Sequence, residues 1–350
     1  MTSSNALACA NGASLQCYLK DWESDSTERA ALASVIAAIA QAGTALATLI
    51  SRGPLSSPST AFEELTIDRR HLDAIAGQVI MNALRKTRTA YVASDEEGTI
   101  LTFDAGGELA VAVNPLDGAS NVDANLAFST LFSIFPASPK GATASFLRKG
   151  AEQLAAGYII YGPHTALLLS FGDGAAHFVL DPAAQKFRLV SANVKIAPKT
   201  REIAINAANY RHWREPVRAF IDDCAEGAAG PSGSDFNIRW FACLVGETHR
   251  ILMRGGVYLY PADRRPGYVN GRLRLLYEAF PIAMLVEQAG GAATDGAERI
   301  LSKNTETLDQ RTPLVFGSAE EVARIAAYHS DRQFHCAQAP LFAERGLFHV

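Results

Sequence analysis

Apolar residues recur at helical spacing through residues 28–50 (ERAALASVIAAIAQAGTALATLI), and Gly53-Pro54 closes the run. The pattern predicts a helix with a long apolar face. A second helix is predicted over 68–86, with Asp68 as its N-cap and Arg85-Lys86 in the last turn, where cations suit the helix dipole. Short apolar runs follow at 90–94, 99–103 and 109–113 and read as strands. Further strand runs lie at 127–135, 154–161, 165–171, 175–180 and 187–191, and the absence of intervening helical patterns argues for a mixed or antiparallel sheet. After about residue 200 the pattern alternates. A strand at 202–206 precedes helices near 214–224 and 239–253, a strand at 256–260, a helix at 275–290, a strand at 313–317 and a helix at 319–328. That order predicts a layered α/β (α+β) protein with a lobe boundary near 198–201.

Composition narrows the functional classes. The 350 residues hold 32 basic and 36 acidic side chains, a net charge of −4, which gives no basic footprint for nucleic acid or an anionic membrane. With 48% hydrophobic and 19% charged residues the chain suits a packed globular protein, and its length suits two lobes. The N-terminal stretch lacks a positively charged segment, and no later stretch reads as 18–20 uninterrupted apolar residues, so a soluble cytosolic protein is expected. Five scattered cysteines, Cys9, Cys17, Cys224, Cys243 and Cys336, form no CxxC pair and read as free thiols.

Three separated segments place carboxylates where elements end: Asp95-Glu96-Glu97 after AYVAS, Asp117 in NPLDGASNVD after LAVAV, and Glu278 in GRLRLLYEAFP. Carboxylates at strand C-termini face the crevice where α/β sheets bind ligands. If they converge, their repulsion requires cations, and all-oxygen ligands select Mg²⁺ or Mn²⁺ over zinc. Taken alone, the acidic run also suits a polar turn between strands. Asn114-Pro115 and Asp117-Gly118 are likewise turn dipeptides, but a turn opening on Gly118-Ala119-Ser120 would point backbone N–H groups at an anion.

These segments, in this order, resemble class I fructose-1,6-bisphosphatases, members of a lithium-sensitive, magnesium-dependent sugar phosphatase superfamily. The resemblance spans about residues 28–329. LDAIAGQVIMNALRKT is similar to the family's helix bearing a catalytic aspartate, VASDEEG to its paired-glutamate metal segment, and VAVNPLDGASNVDANLAFSTLFSIF to its metal and phosphate segment. RGGVYLYPAD resembles a sugar-site strand, and GRLRLLYEAFPIAMLVEQAGGAATDG the C-terminal active-site signature. The resemblance implies alternating layers (α/β/α/β/α) in two lobes, with 28–198 carrying the metal and phosphate site and 199–335 the sugar site, flanked by segments 1–27 and 336–350. It makes Glu96, Glu97, Asn114, the Leu116 carbonyl, Asp117 and Glu278 ligands for two or three Mg²⁺, with Mn²⁺ as a substitute. Asp73 and Glu97 would activate the attacking water, and Asp117, Gly118, Ala119 and Ser120 would meet the 1-phosphate. The 6-phosphate and sugar would meet Asn206, Tyr210, Tyr260 and Arg272, with Arg239 reaching across from a neighbour in a homotetramer. On their own, Tyr260 suits an ordinary core strand, Asp73 a surface helix position, and both arginines a solvated surface. His71, His249 and His329 show no mutual ligand spacing.

Two departures bear on chemistry. Asn114 stands where the family has a metal-binding aspartate, and Ala119 where it has a hydroxyl residue. The aspartate expected shortly before Asp73 aligns poorly, with Ile67 in its place and Asp68 one residue off. The expected reading is a working phosphatase with altered metal demand. A degenerate paralogue that binds sugar phosphate, or joins subunits, without efficient turnover is the alternative. Sedoheptulose 1,7-bisphosphate is an alternative substrate and inositol phosphate a weaker one. Gly107-Glu108-Leu109 replaces the basic and aromatic partners that animal forms use for AMP, so little AMP inhibition is expected. No cysteine-bearing insert of the plant type lies between about 135 and 160.

Overall fold

The computed structural model describes residues 11–330 except Asp25, 54–68, Glu97 and Asp123. The expected Asp68 cap and Glu97, an expected metal ligand and catalytic residue, therefore lie outside the described residues. Three helices open the chain: α1 (Leu15–Glu23), α2 (Thr27–Ile50) and α3 (Arg69–Leu84). Ser14 and Ser26 cap the first two, their side chains accepting from the backbone N–H groups of Cys17 and Arg29.

Eight strands follow: β1 (Thr89–Ser94), β2 (Ile100–Thr102), β3 (Leu109–Asp117), β4 (Phe128–Pro136), β5 (Ala155–Tyr161), β6 (Thr165–Ser170), β7 (Ala176–Asp181) and β8 (Lys186–Ser191). They form one sheet in the order β2-β1-β3-β4-β5-β6-β7-β8, in which only β1 and β3 run parallel. A short helix, α4 (Ala142–Phe146), interrupts the series. The second sheet comprises β9 (Glu202–Ala204), β10 (Asn237–Ile238), β11 (Val257–Tyr260), β13 (Ala292–Thr294) and β15 (Leu314–Gly317), ordered β10-β9-β11-β15-β13. A two-stranded ribbon pairs β12 (Leu273–Arg274) with β14 (Arg311–Thr312). The remaining helices are α5 (Glu215–Ala225), α6 (Leu244–Arg254), α7 (Phe280–Gln288) and α8 (Ala319–Ser330).

Strand alternation assigns residues to layers. Along β3, Val111 and Val113 join the core formed with α1–α3, whereas Ala110 and Ala112 join a central core with α6 and α7. Along β11, Tyr258 enters that central core while Val257 and Leu259 face α5 and α8. The result is helices, large sheet, helices, small sheet, helices, as the resemblance implied.

Three differences from the sequence pattern stand out. Helix α1 was not expected, yet Leu15, Tyr18 and Leu19 are buried. Strand β3 continues through Asn114-Pro115 to Asp117 instead of turning there. Helix α2, although Ser34, Gln41, Thr44 and Thr48 interrupt its apolar residues, is by length and composition apolar enough to cross a membrane, which the sequence reading did not single out. Here it is a core helix: Val35, Ile36, Ile39 and Leu46 are at most 1% exposed. Each contributes about 1.5–3 kcal/mol by leaving water.

Candidate active site

Parallel pairing of β1 with β3 brings the carboxyl ends of both strands to one edge, with Ala93 opposite Ala112 and Ser94 opposite Val113. Asp95 N–H donates to the Val113 carbonyl (3.0 Å), which holds the acidic turn against β3. In the β3–β4 ladder Asn114 faces Leu131 and Asp117 faces Ser129, so β3 carries one extra residue, a bulge. The Thr130 hydroxyl donates to the Pro115 carbonyl at 2.8 Å, satisfying backbone polarity within the bulge. The bulge lets a strand rather than a loop carry Asn114, which is buried, as far as Asp117.

Gly118 then adopts φ 77°, and residues Ala119–Asn121 form a single 3-10 turn. That conformation favours glycine. The turn's bonds begin at Asn121 N–H to Gly118 O (2.8 Å) and Val122 N–H to Ala119 O (3.3 Å). The turn itself therefore does not use the amides of Ala119 and Ser120 at its start. Ser120 is exposed, and Ala119 is buried.

Glu278 lies in a wider π-type turn, Leu275–Ala279, that precedes α7. Such turns cluster at functional sites. Its carboxylate accepts from Arg274 N–H, while the Arg274 guanidinium donates to the Asp95 carboxylate and carbonyl. Arg274 thus ties the end of β1 to the π-type turn. Burial, then the nearby Asp95 charge, pushes Asp117 up to about 6. Burial, then the Asp117 charge, pushes Glu278 up to about 8. Asp117 Oδ2 is buried without a hydrogen bond.

The fourth contribution comes from α3. A side chain at Gly77 would place its first carbon 3.0 Å from Glu96 Oε2, so Glu96 lies against this helix face. Asp73, half-buried, sits one turn earlier on the same face. Among the described residues no three His, Cys, Asp or Glu side chains close into a ready-made metal cage. The donor chemistry nevertheless fits a hard cation: carboxylates, an amide oxygen, and an orphaned buried oxygen on Asp117.

At the expected sugar end, several of the named residues meet. Asn206, whose side chain accepts from Ala208 N–H (3.2 Å), and Tyr260 line one pocket with Asn209, Trp240, Arg265 and Tyr268. Tyr210 lies in the same 3-10 segment. Its hydroxyl donates to both carboxylate oxygens of Asp222 (2.9 and 2.8 Å), and Asn209, one residue earlier, lines the pocket. Arg272 lies over the Tyr268 ring at 4.6 Å and donates to its hydroxyl. Arg239 is exposed and pairs with Glu202 at 3.6 Å. Sequence reasoning missed Gly77, Asn209, Trp240, Arg265, Tyr268 and Arg274. The doublet Arg264-Arg265 beside Pro266-Gly267 was a visible signal of a basic turn, whereas Gly77 gave none.

Acidic groups at the end of a parallel strand pair, an amide-led turn beside them and a layered scaffold together define the sugar phosphatase class of fold. A family model described as fructose-1-6-bisphosphatase, N-terminal domain, matches residues 16–192, and one described as its C-terminal domain matches residues 196–330. Fructose-1,6-bisphosphatase class 1 of Paracoccus denitrificans is 50% identical over 311 residues, 89% of this chain and 93% of that one. A class 1 fructose-1,6-bisphosphatase of Cereibacter sphaeroides is 52% identical over 280 residues, 80% of this chain and 83% of its own. The Leishmania major fructose-1,6-bisphosphatase in its T-state superposes with a TM-score of 0.83 at 29% identity, covering 92% of this chain and all of that one. The chain belongs to the class 1 fructose-1,6-bisphosphatase family, whose members are generally metal-dependent phosphatases.

Proposed function

We propose that this chain hydrolyses the 1-phosphate of fructose 1,6-bisphosphate, releasing fructose 6-phosphate and inorganic phosphate. The observation that carries this reading is the half-buried Asp117–Glu278 pair, with Asp117 Oδ2 buried and unbonded immediately before the Gly118–Ser120 turn. Asp73 and Glu97 take the proton of the attacking water. The amides of Gly118, Ala119 and Ser120 hold the reacting phosphate, and Asn206, Tyr210, Tyr260 and Arg272 meet the sugar and its second phosphate. Two or three Mg²⁺ ions, or Mn²⁺, held by Glu96, Glu97, Asn114, the Leu116 carbonyl, Asp117 and Glu278, would neutralise phosphate charge and acidify water. The described residues within 28–198 would then belong to the metal and phosphate lobe and those from 199 to 330 to the sugar lobe.

We read the protein as a cytosolic homotetramer. Ile238 and Phe241, 45% and 53% exposed on either side of Arg239, supply apolar surface that a neighbouring copy would cover. Arg239 would then serve that neighbour's site. Phosphate release from fructose 1,6-bisphosphate, followed across a Mg²⁺ and Mn²⁺ titration, tests the function. Turnover is expected at higher metal demand than in Asn114→Asp, which adds one charge to the site. Turnover by Asn114→Asp with none by the native chain at any metal level would instead identify a sugar-phosphate binder that has lost catalysis. Comparing kcat/KM with sedoheptulose 1,7-bisphosphate fixes the preferred substrate.

A further inference from the structure

The connection from β11 to β12 is built around one aromatic ring. The Arg265 and Arg272 guanidinium groups stand 4.0 and 4.6 Å from the Tyr268 ring centroid, and Arg272 Nη1 also donates to the Tyr268 hydroxyl. Two like charges against one ring repel, so the loop must hold them. Asp263, only 3% exposed, accepts from Arg265 Nε at 3.1 and 3.0 Å and also from Nη2. The backbone closes around the same ring: Asp263 N–H donates to Tyr268 O (3.2 Å), Tyr268 N–H to Arg265 O (3.0 Å) and Gly271 N–H to Tyr268 O (3.0 Å).

Loop packing alone explains an arginine stacked on a tyrosine, since such contacts recur about once per 70–80 residues. It does not explain a buried carboxylate that fixes one edge of a guanidinium while Nη1 has no hydrogen bond or ion pair among the described residues. A guanidinium held on one edge presents the other at fixed geometry, the arrangement suited to a phosphate. Arg265 and Tyr268 also line the pocket that holds Asn206 and Tyr260, and Arg272 adjoins it through the Tyr268 ring.

We propose that Arg265 completes, with Arg272, a clamp on the phosphate that is not hydrolysed, and that Tyr268 is the positioning residue that spaces the two guanidinium groups. The proposal rests on the reading of this chain as a fructose-bisphosphate phosphatase and assigns it a way of selecting bisphosphates over monophosphates. A sugar carrying only the reacting phosphate forgoes the clamp.

The test compares fructose 1,6-bisphosphate with fructose 1-phosphate for the native protein, Arg265→Ala, Tyr268→Ala and Tyr268→Phe, alongside calorimetric binding of fructose 6-phosphate. Arg265→Ala and Tyr268→Ala are expected to shrink the bisphosphate-to-monophosphate ratio of kcat/KM by about tenfold, chiefly through KM. They should weaken fructose 6-phosphate by a similar factor. Tyr268→Phe, which keeps the ring, should recover most of both. Equal losses for the two substrates, with fructose 6-phosphate binding retained, would overturn the clamp and leave the loop a structural role. If the native protein hydrolyses neither substrate, the functional reading fails by itself, and fructose 6-phosphate binding then decides the clamp: weakening in both alanine variants supports it, and no weakening overturns it.

Discussion

The Glu96 carboxylate lies 3.0 Å from where a side chain at Gly77 on α3 would begin, so the proposed site includes an unreactive residue whose smallness lets the acid approach the helix. Spacing in the sequence could reveal the acids, because AYVAS and LAVAV announce the strand ends that carry them. It could not reveal Gly77, whose role exists only once α3 and the end of β1 meet. Asn209 escaped notice for a geometric reason. A 3-10 turn repeats every three residues, so Asn206 and Asn209 share a face, while the Tyr210 hydroxyl reaches Asp222. Charge at Asp117 and Glu278 gives a testable pH dependence. Burial and mutual repulsion raise both carboxyls above the ordinary carboxylate range, so a divalent ion bound at the proposed site would displace protons from the pair. Mg²⁺ affinity is therefore expected to rise roughly tenfold or more between pH 6 and 8, with protons released on binding. Calorimetry in two buffers of different ionisation enthalpy checks this, and ordinary carboxylates would show a flat profile over that range.

At the scale of elements, patterns located nearly every long helix and strand and failed mainly at their ends. Residues 239–253 read as one helix, yet α6 begins at Leu244. Trp240 stacks on Tyr258 with ring centroids 5.9 Å apart, and Phe241 N–H donates to the fully buried Glu247 carboxylate at 2.7 Å. Tertiary partners thus claim the residues that local periodicity assigned to a first turn. The bulge in β3 was illegible for the same kind of reason, because a turn dipeptide and a bulge share their residue types. Close packing leaves no room for a side chain at Gly157 on β5. A methyl group at Gly157 would lie 2.6 Å from the Leu168 carbonyl and 2.4 Å from Phe132 Cζ. Gly157→Ala is expected to destabilise the fold by about 1–3 kcal/mol, read as a lower urea midpoint at unchanged slope.

For the whole molecule, the layer order was legible because a strand-rich half precedes an alternating half. What joins the layers was not. His249 on α6 meets Tyr158 on β5, with Nδ1 3.0 Å from the hydroxyl, and lies 5.4 Å from the His177 ring on β7. Burial, followed by the neighbouring histidines, pushes His249 down to about 4, and burial then His164 lowers His177. Unfolded histidine takes up its proton near pH 6.5, so the folded state binds fewer protons between that pH and about 4. Stability at this seam is therefore full above pH 6.5 and is lost as pH falls toward 4. At saturating Mg²⁺, the melting temperature should fall across that window, and His249→Gln should flatten the fall. Helix α2 carries a consequence of another kind. Its apolar face ends at Ile50, but β5, one of the strands it covers, begins at Ala155, about a hundred residues later. At roughly 5–20 residues per second, the ribosome leaves that face without its sheet for about 5–20 s. Every nascent chain passes through that interval with a greasy helix on offer to chaperones, to other nascent chains and to any membrane nearby.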